Sequence, residues 1–526
     1  MRQVFCCPLL VALLAAPALT AATLRFEVRD EATDRPLACR FSLGVNGIDW
    51  FPERVGSRGV RFISLHESKQ QLFVATYATD KGPIEVVLPA SAEKVEVRLT
   101  RGFDYVPLRR ELVVAELDRP KTFKLRRWAG LADVGWRAAD AHLHYDRHSR
   151  RADPLWFAMM AGDGLDSAHF MYLIGGKVPG EWAVQYGYGL KGEAHDRGRL
   201  ISAGLEYRDT MQGHVNLLGM PEIVPPVMAG RAGLPNYPTV SSVLRRTREK
   251  GGLPVVAHGG SLGSQATVIL DGILGSPDAI EIGNSHLYSL DNWYALLNAG
   301  YIYPPVAGTD LPNYPERDWW QPFLGGMRTY ARVDGTNTFA AWKAAVRAGR
   351  VFVSSGLIPR FTVNGEAGGS HVRLARPGLV DVAAELASPL GVQELEVIRD
   401  GAPLALEGVQ RIENDGVTRM QWNGRVMITN SCWLALRGRG APIRALKRAQ
   451  LPPTPWHCSD VVAHTSVVRV TVGGQPIGSA AARAELVNRL RELSIEYAAK
   501  ARYENDTQRR EMQALFDQAQ EILKGR

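Results

Sequence analysis

Cysteine is what this 526-residue chain has least of: five in all, two of them, Cys6 and Cys7, inside the first 22 residues. What is left, Cys39, Cys432 and Cys458, is too little for a framework of several disulfides. A Cys432–Cys458 bridge in an oxidising compartment, with Cys39 as a buried thiol, stays open. The chain also lacks any block of five or more Lys/Arg: its net charge of +8 comes from 62 basic against 54 acidic residues spread thinly. A nucleic-acid partner needs clustered cations, so none is expected despite a pI near 9.2. Beyond residue 22 no stretch approaches the roughly 18 consecutive apolar residues of a membrane span. Internal repeats and low-complexity segments are absent too. Hydrophobic residues make up 45% and charged residues 22% of the chain, which excludes disorder, coiled coil and collagen as descriptions of the whole. At about 150 residues per domain the length predicts roughly three or four domains.

The start of the chain differs from the rest. Arg2, the apolar run Phe5 to Leu14, and the small residues Ala16, Ala18, Ala21 and Ala22 read as a secretory signal peptide over residues 1–22. The expectation is a mature chain that is secreted or periplasmic. Residues 23–128 alternate apolar and polar side chains in short runs broken by Gly, Pro and Asp, which predicts an antiparallel β-sandwich. From 129 to 357 strand-like runs alternate with helical segments, as in Val240 to Lys250, Gly251-Gly252 and Leu253 to Val256, the pattern of an α/β domain with a parallel sheet or barrel. Residues 358–475 return to short strands, a second β-sandwich. The tail, 476–526, carries Leu486, Leu490, Leu493, Ile495, Leu515, Ile522 and Leu523 at near-helical spacing and predicts amphipathic helices that fold back on the protein.

The sharpest local signal is Asp140-Ala141-His142-Leu143-His144. On an extended segment residues i and i+2 point the same way, so both imidazoles can reach one metal ion. Asp140 is expected to orient one of them through its other ring nitrogen. Later strand-like runs each bring an ionisable group near their ends: Glu206 after Leu200 to Leu205, then His214 beside Gly213, His258 after Leu253 to Ala257, Glu281 within Ala279 to Ile282, and Asp310 after Gly308-Thr309. Barrel enzymes assemble their sites along such an edge. A histidine beside a glycine is ordinarily a satisfied core residue, but a carboxylate in an apolar strand needs a compensating cation. The group His142, His144, Glu206, His214, His258 and Asp310 is therefore read as metal-binding. Glu281 pairs either with the metal group or with an arginine, and His148, His169 and His286 read as loop or helix-edge residues.

Gly259-Gly260-Ser261-Leu262-Gly263 offers a competing reading, a nucleophile elbow with Ser261 assisted by Asp310 and His457 or His464. It leaves His142, His144, Glu206 and His214 unexplained. The other alternative is a non-catalytic extracellular binding protein built around the same barrel.

These residues resemble the PHP (polymerase and histidinol phosphatase) superfamily, and most of all its secreted CehA/McbA-like metallohydrolase branch. The likeness rests on His142-x-His144, Gly204-Leu205-Glu206 with Gly213-His214, Ala257-His258-Gly259 and Gly308-Thr309-Asp310, and extends to Arg350 through Gly356 and to Phe361 through Gly365. It implies a distorted (β/α)7 barrel flanked by β-sandwich domains. The activity implied is metal-dependent hydrolysis of a small-molecule phosphoester, carboxylic ester or carbamic ester. The stretch Gly164 to Phe170 does not preserve the Asp-His pair common in that family, and Pro312 stands where many relatives have histidine. With those ligands missing, one or two ions of Zn, Mn or Fe are expected. Glu206 is the bridging carboxylate and Asp310 a proton acceptor. Arg328, with Tyr330, is a candidate oxyanion contact, its bland alternative being a surface arginine beside a packed tyrosine. The aromatic loop Tyr314 to Phe323 lines either the pocket mouth or a domain interface.

Overall fold

The computed structural model describes residues 21–65, 72–174, 180–223, 225–231, 233–260, 267–284, 288–312, 319–442 and 460–525. The leader-like residues up to 20, Ser261, His286, His457 and Cys458 lie outside them. Among the described residues Cys39 and Cys432 are buried thiols, both pushed up to about 12, chiefly by burial.

The N-terminal region is a sandwich. Its first strand, Thr23–Asp30, buries alternate residues and pairs with Ile84–Val87 and Lys121–Leu125. A second sheet faces it, with Cys39–Val45 paired to both Leu72–Ala78 and Lys94–Thr100. Phe26 meets Phe41 edge to face between the layers, ring centroids 5.4 Å apart, the geometry aromatic quadrupoles prefer.

The central strands run as a circuit. Trp136–Leu143, Ser167–Ile174 and Arg199–Asp209 lie parallel. Gly213–Leu218 then turns back antiparallel and pairs with Leu253–Val256. Ala279–Gly283 and Pro305–Ala307 follow in parallel, and Arg328–Arg332 closes on Trp136–Leu143 antiparallel. Between Pro305–Ala307 and Arg328–Arg332 the link is a side chain: the Thr329 hydroxyl accepts from the Ala307 amide and donates to its carbonyl. The circuit thus contains eight strands, Gly213–Leu218 and Arg328–Arg332 running against the rest, where seven alternating with helices were expected. The helix Val240–Glu249 forms as its pattern predicts. Val240, Val243, Leu244 and Thr247 are buried on one stripe, and the Thr239 hydroxyl accepts from the Ser242 amide at its N-terminus.

One sheet continues beyond the barrel. Val351–Ser354 pairs on one side with Arg328–Arg332 and on the other with Asp460–Thr465, so a barrel sheet becomes one layer of the C-terminal sandwich. The other layer is built from Ile358–Val363, Gly378–Ser388, Val417–Ile428 and Gln410–Asn414. The tail forms two helices, Ala480–Lys500 and Asp506–Lys524, capped by Ser479 and Asn505. Leu486, Leu490, Leu493 and Tyr497 sink into a core shared with Leu270, Trp293 and Leu296. Ile495 departs from the expected apolar stripe and is 65% exposed. No helix among the described residues is long and apolar enough to cross a membrane.

Candidate metal centre

The strand Trp136–Leu143 is buried along nearly its whole length, and its i, i+2 alternation sends His142 and His144 to one side. Beyond the strand's end the chain laces onto the segment from Asp310 to Leu311: the Asp310 amide donates to the His142 carbonyl at 2.7 Å, and the His144 amide to the Leu311 carbonyl at 2.8 Å. The approach is so close that a Cβ on Gly308 would lie 2.4 Å from the His142 nitrogen. Asp310 itself turns in the left-handed region at φ 56°, as does His258 at φ 57°, a strain that non-glycine residues bear where the surroundings fix them.

All six residues expected to hold metal come together, five of them buried and His214 partly so. His142 Nε2 and His144 Nε2 are 3.0 Å apart, and Asp310 Oδ1 is 3.3 Å from each. Glu206 joins the two sides. Its Oε2 lies 3.3 Å from His144 Nε2, while Oε1 lies 3.8 Å from His142 Nε2, 3.1 Å from His214 Nδ1 and 3.3 Å from His258 Nε2. Two groups, His142–His144–Asp310 and His142–Glu206–His258, each converge tightly enough to grip one ion. His214 stands at the edge, its ring 5.3 Å from that of His258.

The proton positions follow from the partners. His144 Nδ1 faces the Met171 carbonyl at 2.9 Å and His142 Nδ1 faces Glu281 Oε1 at 3.0 Å. A carbonyl only accepts, so His144 Nδ1 carries the hydrogen and that ring, when neutral, turns a lone pair inward through Nε2; the Glu281 carboxylate asks the same of His142 Nδ1, against the Asn216 amide nitrogen 3.0 Å from it. Two lone pairs and a carboxylate oxygen then point at one spot, which is tolerable only around a cation. Two ligand atoms on a zinc ion at about 2.0–2.1 Å are separated by about 3 Å, the spacing seen here. His214 Nδ1 adds a ring nitrogen beside the Glu206 carboxylate, 3.1 Å away. The donor set fits a divalent ion.

Electrostatics agree. Burial works against the charge on Glu206, but Arg208 and His214 outweigh it and hold the carboxyl well below the usual carboxylate range. Asp310 is likewise held low against its burial, by His142 and His144. Burial opposes the proton on His142, yet Glu281 and Asp310 raise it to about 10, so the carboxylates draw a positive charge to this spot, a proton on the ring where an ion would otherwise take its place; burial lowers His214 to about 4 in spite of Glu206.

The role expected of Asp140 is corrected. Its carboxylate orients no imidazole ring but accepts from backbone and hydroxyl: the His142 amide at 3.2 Å, the Thr309 amide at 2.8 Å and hydroxyl at 2.7 Å, and the Gly325 amide at 2.8 Å. Ring orientation falls to Glu281. Arg328 is not brought to the group. Fully buried, it donates to the carbonyls of Gly325, Gly164, Asp163 and Leu324 and lies 4.3 Å over the Phe103 ring. Tyr330 stacks on Phe352 with centroids 4.6 Å apart. Phe323 stacks on Phe73 of the N-terminal sandwich at 4.6 Å, which makes that end of the aromatic loop interface core. His169 is buried against the Ser202 hydroxyl, 2.7 Å away, and His148 is exposed beside Asp146. His464 is buried between the Tyr294 hydroxyl and the Thr465 carbonyl. With Asp310 among the imidazoles of the metal group, a serine triad through these two residues does not form.

Three contributors went unread in the sequence. Arg208 Nε lies 2.7 Å from Glu206 Oε2, Asn216 Nδ2 lies 3.0 Å from His142 Nδ1, and Asn284 Nδ2 lies 2.9 Å from His258 Nδ1. The first two sit two positions after Glu206 and His214 on the same strands, so the alternation that pairs His142 with His144 would have found them.

No family model matches the chain, and no curated protein does. Among solved structures a similar chain is the lesion-specific endonuclease PfuEndoQ from Pyrococcus furiosus, 14% identical with a TM-score of 0.27. The overlap covers 40% of this chain and 56% of that one. A likeness that loose carries no inference, and the donor geometry stands by itself: two buried groups of His, Asp and Glu, each able to hold a metal ion.

Proposed function

We propose that the protein is a metal-dependent hydrolase of PHP type that cleaves an ester-type bond, phosphoester, carboxylic or carbamic, in a small molecule outside the cytosol. The observation that carries the reading is the convergence of His142 Nε2, His144 Nε2 and Asp310 Oδ1 within 3.0–3.3 Å while both Nδ1 atoms are spent on acceptors. The PHP-like order of the ligands along the chain supports it, and the leader-like first 22 residues support export. One or two divalent ions, Zn, Mn or Fe, held by His142, His144, Glu206, His214, His258 and Asp310, would lower the pKa of a bound water to about 7 and polarise the scissile carbonyl or phosphoryl oxygen.

The chain's own groups do the rest. Glu281 and the Met171 carbonyl keep the His142 and His144 lone pairs aimed inward. Glu206, kept ionised by Arg208, holds the two halves together. Asp310, in reach of both imidazoles and kept anionic, takes the proton from the attacking water. Burial of the whole group excludes bulk solvent and strengthens each of these interactions.

The test is metal analysis of protein purified without added ions, set beside His142→Ala, His144→Ala and His258→Ala variants, with hydrolysis of aryl phosphates and aryl esters followed before and after chelation. Bound metal in the parent, its loss in the variants and chelator-sensitive turnover are expected. Undiminished metal in all three variants, or turnover indifferent to chelation, overturns the reading.

A further inference from the structure

The two halves of the metal group are anchored in different places. His142, His144 and Asp310 are fixed from within the barrel, by the interlaced backbone at residues 142–144 and 310–311 and by Asp140. His214 opens its strand just after a turn and His258 follows its strand on one, and both turns are met by the C-terminal helices.

His258 and Gly259 are consecutive left-handed residues, a turn that needs support. The Gly259 carbonyl accepts from Asn292 Nδ2 at 3.1 Å, and Asn292 Oδ1 accepts from Arg489 Nη1 of the first tail helix at 3.2 Å. The turn before His214 is held likewise. Tyr497, one face-repeat further along that helix, donates its hydroxyl to the Met211 carbonyl at 2.5 Å. Asp209, at the end of the Glu206 strand, accepts from the Met211 and Gln212 amides, both at 2.7 Å, and from Asn236 Nδ2 at 3.0 Å. Asn236 is tied in turn to Arg502, in the link between the tail helices: its amide donates to the Arg502 carbonyl at 2.8 Å and its Oδ1 accepts the Arg502 amide at 2.9 Å. The anchor is stiff, because Leu486, Leu490 and Leu493 share a core with the barrel helices that carry Leu270 and Trp293.

We propose that the C-terminal helical hairpin is a positioning device for the His214–His258 side of the metal centre and sets the affinity of the ion bound there, through Arg489, Tyr497 and Arg502. This rests on the metal reading above. Residues that orient metal ligands are typically worth about 10–100-fold in affinity, so loosening the hairpin weakens the second ion and spares the first.

Full-length metal-free protein and an Arg489→Met/Tyr497→Phe variant are titrated with zinc against a competing chelator. Both substitutions keep bulk, so Tyr497 keeps its ring against Phe516 at 5.6 Å. A thermal melt of the metal-free forms runs in parallel. The expected result is two ions in the parent. The variant takes the first with parental affinity and the second about tenfold or more weaker, still melts in a single transition, and recovers its second ion when position 497 is restored and 489 is Lys. Equal affinities for both ions in parent and variant, equal weakening of both, or a parent that saturates at one ion overturns the proposal while leaving the metal reading in place. A parent that binds none overturns the metal reading itself.

Discussion

The carboxylate of Glu281 lies 3.0 Å from Nδ1 of His142, and its second oxygen accepts the backbone amide of His258 at 2.8 Å. One side chain thereby orients one imidazole of the candidate group and the backbone of another. Glu281→Gln keeps the shape but replaces an acceptor by an amide group, so metal affinity should fall about 10–100-fold with the fold intact. Competition against a chromophoric chelator measures it; an unchanged dissociation constant would show that His142 is oriented by other means.

Arg328 makes the opposite prediction. Its guanidinium is consumed by backbone carbonyls around Gly325 and Asp163, so Arg328→Met leaves buried acceptors unpaired, at about 1–3 kcal/mol each. Urea denaturation should register a loss of several kcal/mol, with metal content and turnover per folded molecule preserved. Turnover that collapses at unchanged stability would restore the oxyanion role.

Acid should unfold the protein through two buried histidines that are not among the six of the candidate metal group. Burial lowers His169 and His464 to about 3, against an ordinary value near 6.5 in the unfolded chain. Between about pH 6.5 and pH 3 the unfolded state binds more protons than the folded one, so stability rises with pH across that window and is lost on acidification. His464→Gln should flatten the slope of stability against pH there, read from urea midpoints at successive pH values. An identical slope would mean that His464 is already protonated in the fold.

How far the sequence was legible varies residue by residue. That the six residues of the candidate group lie together could be found because strand alternation and the need of buried carboxylates for a cation are local arguments. Arg208 and Asn216 obey the same alternation and were missed only because it was not carried forward from Glu206 and His214. Asp140 was misread because its work depends on Gly325, far along the chain, arriving with a free amide. Arg328 was misread because its cover, Phe103, comes from another region of the chain. Ile495 fell off the helical stripe because steps of four, three and four through Leu486, Leu490, Leu493 and Tyr497 leave position 495 on the outer side. The two antiparallel strands of the barrel leave no local mark, since a buried apolar run reads alike in either direction.

The strand Val351–Ser354 has partners on both flanks, and this leaves the central barrel without a finished border. A chain cut after residue 357 would expose a row of backbone donors and acceptors in search of another strand, and such edges recruit their own kind. Excised, the central barrel would come out as self-paired aggregate instead of a smaller soluble unit, which makes the flanking sandwich part of what keeps it dispersed.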